Sequence, residues 1–310
     1  MSYFSKMLDV QLILFVYLVI GSICRRLNII TSKNQGQFIN FVLNIIMPCM
    51  VFNSFKNITF SILQQAIVAL LTSFGVCLLA MFLGKNLYRN FSEDKQKVLR
   101  YATLINNAGF AGLPLAQALY GEQGLVYASI FLIPIRIFMW SAGITILSKK
   151  KSNIKQLLIR LLKNINIIAV FLGIFRGLFQ IQLPDFLDNA ILNLSSCVSP
   201  LSMIVIGAII SDIDVRGILE KGVLGFTFIR LLLLPLLTLI ITSLFQIDVI
   251  IAGVSVVLTA MPAATSTSLL AFQNDLDETF ASKLIFITTV GSLLTTPVIV
   301  LLTQYVLANH

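Results

Sequence analysis

Ten apolar runs of about bilayer length take up most of this 310-residue chain. They cover Leu8–Cys24, Phe38–Phe55, Ala66–Leu83, Ala102–Tyr120 and Leu125–Leu147 in the first half. The second half holds Ile165–Phe179, Ala190–Ile210, Val223–Phe245, Val249–Phe272 and Leu284–Leu307. Only 11% of residues are charged, against about 25% in soluble domains, and they gather between the runs. Hydrocarbon offers no partner to a free amide or carbonyl, so runs of this kind fold as helices that satisfy their own backbone. The expected class is an all-α polytopic membrane protein with ten transmembrane helices.

The cations orient these spans. With the N-terminus outside, the inner connections hold Arg25, Arg26 and Lys33, the cations from Lys85 to Arg100, those from Lys149 to Lys163, and Arg216, Lys221 and Lys283. Only Lys6 and Lys56 then fall outside, the asymmetry that positive-inside topology requires. A multi-pass cell-membrane protein follows, with both termini outside and loop 149–163 cytosolic. The net charge of +9 is a topology signal and calls for no nucleic acid. In that loop Ile154, Leu157, Leu158, Leu161 and Leu162 share one helical face, so the segment is expected to lie on the inner membrane surface, cations toward anionic headgroups. The first run has Arg25 and Arg26 behind it, the reverse of a cleavable leader, and is expected to remain a membrane helix.

The side-chain inventory excludes most chemistry. Cys24, Cys49, Cys77 and Cys197 are scattered through apolar runs, and the one histidine is His310. No metal site, cofactor or catalytic triad can be assembled from these, so an enzyme is not expected. All thirteen acids fall in connections or at span ends. A proton-coupled carrier needs a buried titrating carboxylate or histidine, which the spans lack.

Two spans are interrupted in corresponding places. The fourth carries Asn106-Asn107-Ala108-Gly109-Phe110-Ala111-Gly112-Leu113-Pro114, and the ninth Met261-Pro262-Ala263-Ala264-Thr265-Ser266-Thr267-Ser268. Irregular backbone at membrane depth is tolerated only in a protein interior or beside a polar cavity, and a pair of such breaks points to the central site of a secondary transporter. Gly21 and Gly173, Pro48 and Pro200, and Pro114 and Pro262 recur at a nearly constant offset. Five spans per half make the second copy enter from the opposite side. The expected arrangement is two inverted five-helix repeats, residues 1–148 and 164–310, joined by the basic linker 149–163, with proline-broken helices four and nine crossing at the midplane. Half-helix N-termini at such a crossing suit an anionic carboxylate.

Asn107 through Leu115, with Tyr120-Gly121 behind, Leu43 to Pro48 before and Met261-Pro262-Ala263 near the end, resemble the auxin efflux carrier family, which includes plant auxin exporters and bacterial malate permease-like carriers. The resemblance covers essentially the whole chain. It implies a scaffold of spans one, two, six and seven, a moving part of the other six, and an elevator-type motion. A homodimer through the scaffold helices would fit this plan. In the plant exporters a span-four asparagine faces the substrate carboxylate; the matching residue is Asn107. The asparagine those exporters carry after the span-nine proline is replaced by Ala263, so auxin itself is not the expected cargo.

The candidate substrate-binding residues are Asn107, Pro114, Pro262, Thr265, Ser266, Arg136 and Asn44. Asn106 and Asn107 have an alternative role as caps of the second half-helix, and the Thr265–Ser268 hydroxyls as partners for backbone freed by Pro262. Arg136, midway along span five, is placed to attract an anion, whereas Arg176 and Arg230 are expected to snorkel to the interfaces. The reading is a carrier exporting or exchanging small organic anions by uniport, with the bilayer and the anion as its partners. Sodium-coupled symport and a ligand-sensing receptor are the alternatives.

Overall fold

The computed structural model describes residues 3–147, 154–211 and 220–308. Every regular element among them is a helix. We number these α1 (Tyr3–Arg26), α2 (Gln35–Ser54), α3 (Phe60–Leu87), α4 (Glu93–Leu104), α5 (Ala108–Leu147), α6 (Ile154–Leu162), α7 (Ile165–Leu178), α8 (Asp185–Ile210), α9 (Gly222–Leu244), α10 (Val249–Thr259), α11 (Ser266–Gln273) and α12 (Glu278–Ala308). Among the described residues, α2, α3, α5, α8, α9 and α12 are long and apolar enough to cross a membrane, and α7 and α10 are shorter apolar helices. The surface is apolar where a soluble protein's would be charged. On α3, Ile67, Leu71, Phe74, Leu78 and Phe82 form one exposed stripe, a face that only lipid or a partner covers. Lys149, Lys150, Lys151, Arg216 and His310, together with the first two residues, lie outside the described residues. In α6, Leu158 and Leu162 are exposed.

Two helices meet others through glycine, so that backbones touch. A Cβ at Gly21 of α1 would strike the Ile204 carbonyl of α8, and one at Gly207 of α8 would strike Leu18 of α1. Gly173 and Gly177 of α7 receive Phe55, the residue just after α2, in the same manner. Small residues at a helix contact permit this close approach in lipid, where packing has to replace the hydrophobic drive.

Proline shapes the helices by widening them locally. Wide π turns at Val42–Ile46, Ala108–Gly112 and Ile229–Leu233 are each followed two residues later by a proline: Pro48, Pro114 and Pro235. Proline clashes with the carbonyl four residues back, and a wide turn moves that carbonyl aside without breaking the helix. Within α5, Gly121 adopts φ +66° and ψ −158°, a conformation open essentially to glycine alone, and the chain turns there between the expected spans four and five.

One boundary departs from expectation. The fourth span, the first of the two interrupted ones, starts at Glu93, where a basic connection was expected up to Arg100. Its first turn holds Glu93 and Asp94, yet Val98, Leu99, Tyr101, Ala102 and Thr103 are buried. Charge at one end conceals a half-helix that runs inward to the break.

The two breaks lie side by side. Residues 105–107 and 260–265 run past each other with an isolated antiparallel bridge between Asn106 and Ala263. The Asn107 N–H donates to the Pro262 carbonyl at 2.8 Å, and Asn106 Nδ2 donates to the Leu258 carbonyl at 2.6 Å. The Ala263 N–H finds Thr288 Oγ1 of α12 at 3.1 Å.

Arg230 of α9 ties the ends together. Its Nη1 donates to the Thr103 carbonyl at 2.8 Å, Nη2 to Thr259 at 2.6 Å and Nε to Met261 at 3.0 Å. These carbonyls belong to the C-terminal ends of α4 and α10, where orphaned acceptors and the negative end of the helix dipole favour a cation. The side chain is 2% exposed, so Arg230 does not snorkel to the interface; it is a buried cap shared by two helices. Arg176, 4% exposed, is covered by protein as well and pairs with Asp188. We expect Arg230→Leu to orphan three buried carbonyls, each worth about 1.5–3 kcal/mol when bonded to a charged donor, and to abolish a cooperative melt in detergent. Arg230→Lys should also melt well below wild type, since an ammonium cannot reproduce the planar fork. A melting temperature unchanged in both would refute the shared-cap role.

Candidate functional site

Where the crossing faces α2, α5 and α8 it leaves a cavity of about 130 Å³. The first break supplies Ile105, Asn106 and Asn107, with Gly109 and Phe110 behind them. The second supplies Ala264, Thr265 and Ser266. The remaining wall is Leu132, Ile135, Arg136 and Met139 of α5, Ile39 and Leu43 of α2, and Ile209 of α8. Four of the seven candidates, Asn107, Arg136, Thr265 and Ser266, are therefore gathered around one space.

The others lie apart from it. Pro114 is buried at the start of the regular helix after the Ala108–Gly112 turn, where it shapes the break without reaching the cavity. Pro262 faces a smaller space on the other side of the crossing, lined by Leu14, Leu18, Met203 and Thr296 among others. Asn44 sits in the π turn of α2 and is exposed; the neighbouring Leu43 is the residue that reaches the cavity. Ala263, at the position where the auxin comparison fails, is fully buried in the cluster of Val98, Phe226 and Leu284.

The paired asparagines divide their work. Asn106 is the structural one: its amide nitrogen holds Leu258, and its Oδ1 accepts the Ala108 N–H at 3.3 Å, capping α5. Asn107 occupies the N-cap position of α5 but makes no side-chain cap bond. Its amide is 6% exposed and lines the cavity without a hydrogen-bond partner among the described residues. Ser266 Oγ lies 3.4 Å from the Tyr101 hydroxyl, and Thr265 occupies the N-cap position of α11 without a side-chain cap bond.

The electrostatics are lopsided. Both α5 and α11 start at the cavity, so two positive helix ends converge there. Arg136 adds a full charge to the same space. Its guanidinium rests against the first turn of α5, where a Cβ on Gly109 would come within 2.9 Å of Nη2. The one hydrogen bond recorded for it goes to Met139 Sδ at 3.7 Å, a weak acceptor. None of the lining residues is an acid. A half-buried cation set beside helix N-termini has no acid among the cavity's lining residues to balance it, which is the condition an anionic solute relieves. Among the described residues no cluster of three or more His, Cys, Asp or Glu is placed to hold a metal.

Sequence comparison agrees with this architecture. The chain is 28% identical over 297 residues to an uncharacterized transporter of Methanocaldococcus jannaschii, covering 93% of this chain and 96% of the relative. It is 24% identical over 296 residues to an uncharacterized transporter of Methanothermobacter thermautotrophicus, again covering 93% and 96%. The profile of a family described as membrane transport protein matches residues 7–300. The chain thus belongs to that membrane transport family, the auxin efflux carriers, and is a multi-pass membrane transporter and not an enzyme.

Proposed function

We propose that this transporter carries small organic anions, malate-like carboxylates among them, through the crossing cavity. The observation that carries the reading is Arg136, a cation lodged against the N-terminal turn of α5 in a cavity without a lining acid. A carboxylate there would take charge-assisted hydrogen bonds from Arg136, an amide bond from Asn107 and the field of two helix ends. Thr265 and Ser266 add hydroxyls on the facing side.

The mechanism we infer is elevator-type alternating access. Ten crossings result if α5 counts as two through its turn at Gly121, α4 joins its first part, and α10 pairs with α11. The glycine contacts support an inverted repeat: α1 meets α8 as α7 meets α2, the pairing that exchanging the two halves would produce. The scaffold of this proposal, α1, α2, α7 and α8, gives the cavity only Ile39, Leu43 and Ile209, all apolar. Every polar lining side chain thus sits on the proposed moving part, which can slide past the apolar wall without exchanging hydrogen bonds. An inside-negative potential, worth about 2.3 kcal/mol per charge per 100 mV, would favour efflux of an anion by uniport.

Carboxylate screening by thermal shift tests the site. A mono- or dicarboxylate should raise the melting temperature of wild type. Loss of a hydrogen bond between charged and polar groups costs about 1.5–3 kcal/mol, roughly ten- to a hundredfold in affinity, so Asn107→Ala and Arg136→Gln should each weaken binding by that factor. Gly109→Ala should weaken it too, by pushing the Arg136 head aside while leaving the charge in place. Unchanged affinity in Asn107→Ala and Arg136→Gln would remove the site, and the absence of any stabilising carboxylate would remove the substrate class. In proteoliposomes, efflux of the stabilising anion should follow an imposed potential and persist when sodium is replaced. Flux that ignores the potential but stops without sodium would favour the symport reading.

A further inference from the structure

A second and larger cleft lies away from the crossing, between the turn after α2 and the connection from α7 to α8. It encloses about 560 Å³ and is lined by Lys56, Arg176, Gln180, Gln182, Asp185 and Asp188 among others. Its two cations and two acids are unevenly paired. Lys56 Nζ stands 3.0 Å from Asp188 Oδ2, while Arg176 Nη2 engages Asp188 Oδ1, so two cations share one carboxylate. Asp185 is exposed in the first turn of α8, with no ion pair recorded to either cation. Arg176 is 4% exposed, its face over the Phe52 ring at 5.3 Å and its Nε on the Ile181 carbonyl at 3.4 Å. Its remaining nitrogen, Nη1, is buried with no acceptor among the described residues. A buried guanidinium nitrogen without an acceptor is costly, and one more anionic oxygen would satisfy it.

The surroundings say which molecule brings that oxygen. Phe171, Phe175 and Phe179 of α7 and its end are 62%, 54% and 68% exposed, and Phe186 of α8 is 77% exposed. The Phe175 and Phe179 rings lie 4.7 Å apart, tilted by 47°. Exposed apolar rings along α7 and at the start of α8 form a face that lipid covers, and acyl chains can run along them. Inorganic phosphate would satisfy the cations but make no use of that apolar flank.

We propose that this cleft holds the phosphate of a membrane phospholipid, its diester oxygens on Arg176 and Lys56 and its chains against the phenylalanines of α7. Arginine suits the phosphate geometry, and the half-exposed Lys56 supplies charge from the rim. A lipid so placed would join α2, α7 and α8 at one end of the molecule, independently of what the crossing carries.

Native mass spectrometry of the delipidated full chain tests this. Added phosphatidylglycerol should be retained as a single adduct, and Lys56→Gln and Arg176→Lys should each reduce retention by on the order of fivefold. Lys56→Gln alters only a half-exposed side chain and keeps the test valid should Arg176→Lys fold poorly. Equal retention in wild type and Lys56→Gln would overturn the site. Displacement of the adduct by millimolar inorganic phosphate would overturn the lipid as its occupant.

Discussion

A broken helix inside a membrane leaves carbonyls that nothing in lipid can satisfy, and the architecture around the crossing is organised by the answer to that problem. Arg230 takes three of these carbonyls at once, from Thr103, Thr259 and Met261. Asn106 takes a fourth, from Leu258, and the strand-like contact of the breaks pairs Asn107 with Pro262. With the C-terminal ends of α4 and α10 neutralised by a buried cation, the N-terminal ends of α5 and α11 are left to face the cavity. The same breaks therefore supply a satisfied side and an unsatisfied side, and only the second is chemically available.

This polarity explains why Arg136 and Arg230 differ so sharply despite being two arginines in apolar helices. Arg230 has backbone acceptors on each of its nitrogens and is spent on structure. Arg136 has only a thioether at 3.7 Å and faces open space. The proposed anion-carrying function rests on that contrast, because charge already neutralised by the protein cannot discriminate in favour of a solute.

Much of this was legible in the sequence, and the gaps have definite causes. The apolar runs, the two breaks and the meeting of Asn107, Arg136, Thr265 and Ser266 follow from features that are local or fixed by membrane depth. Arg230 was misread because its acceptors lie over a hundred residues away on one side and about thirty on the other; distance from a span end says nothing about them. The half-helix α4 was hidden by its own first turn, whose charges resemble a loop. Asn44, a polar residue close to Pro48, lies exposed in the π turn of α2, where its neighbour Leu43 reaches the cavity; sequence does not show which way a widened turn aims each side chain.

The tie made by Arg230 also limits how such a cavity can diversify. Since one guanidinium grips both half-helix ends, spreading or tilting one of them strands carbonyls on both. The width of the crossing is in effect a fixed dimension, set by the reach of an arginine fork. In the proposed carrier a change of cargo would then come from exchanging side chains on the surrounding wall, at Leu43, Leu132 or Ile135 for instance, while the frame of the cavity stays the same.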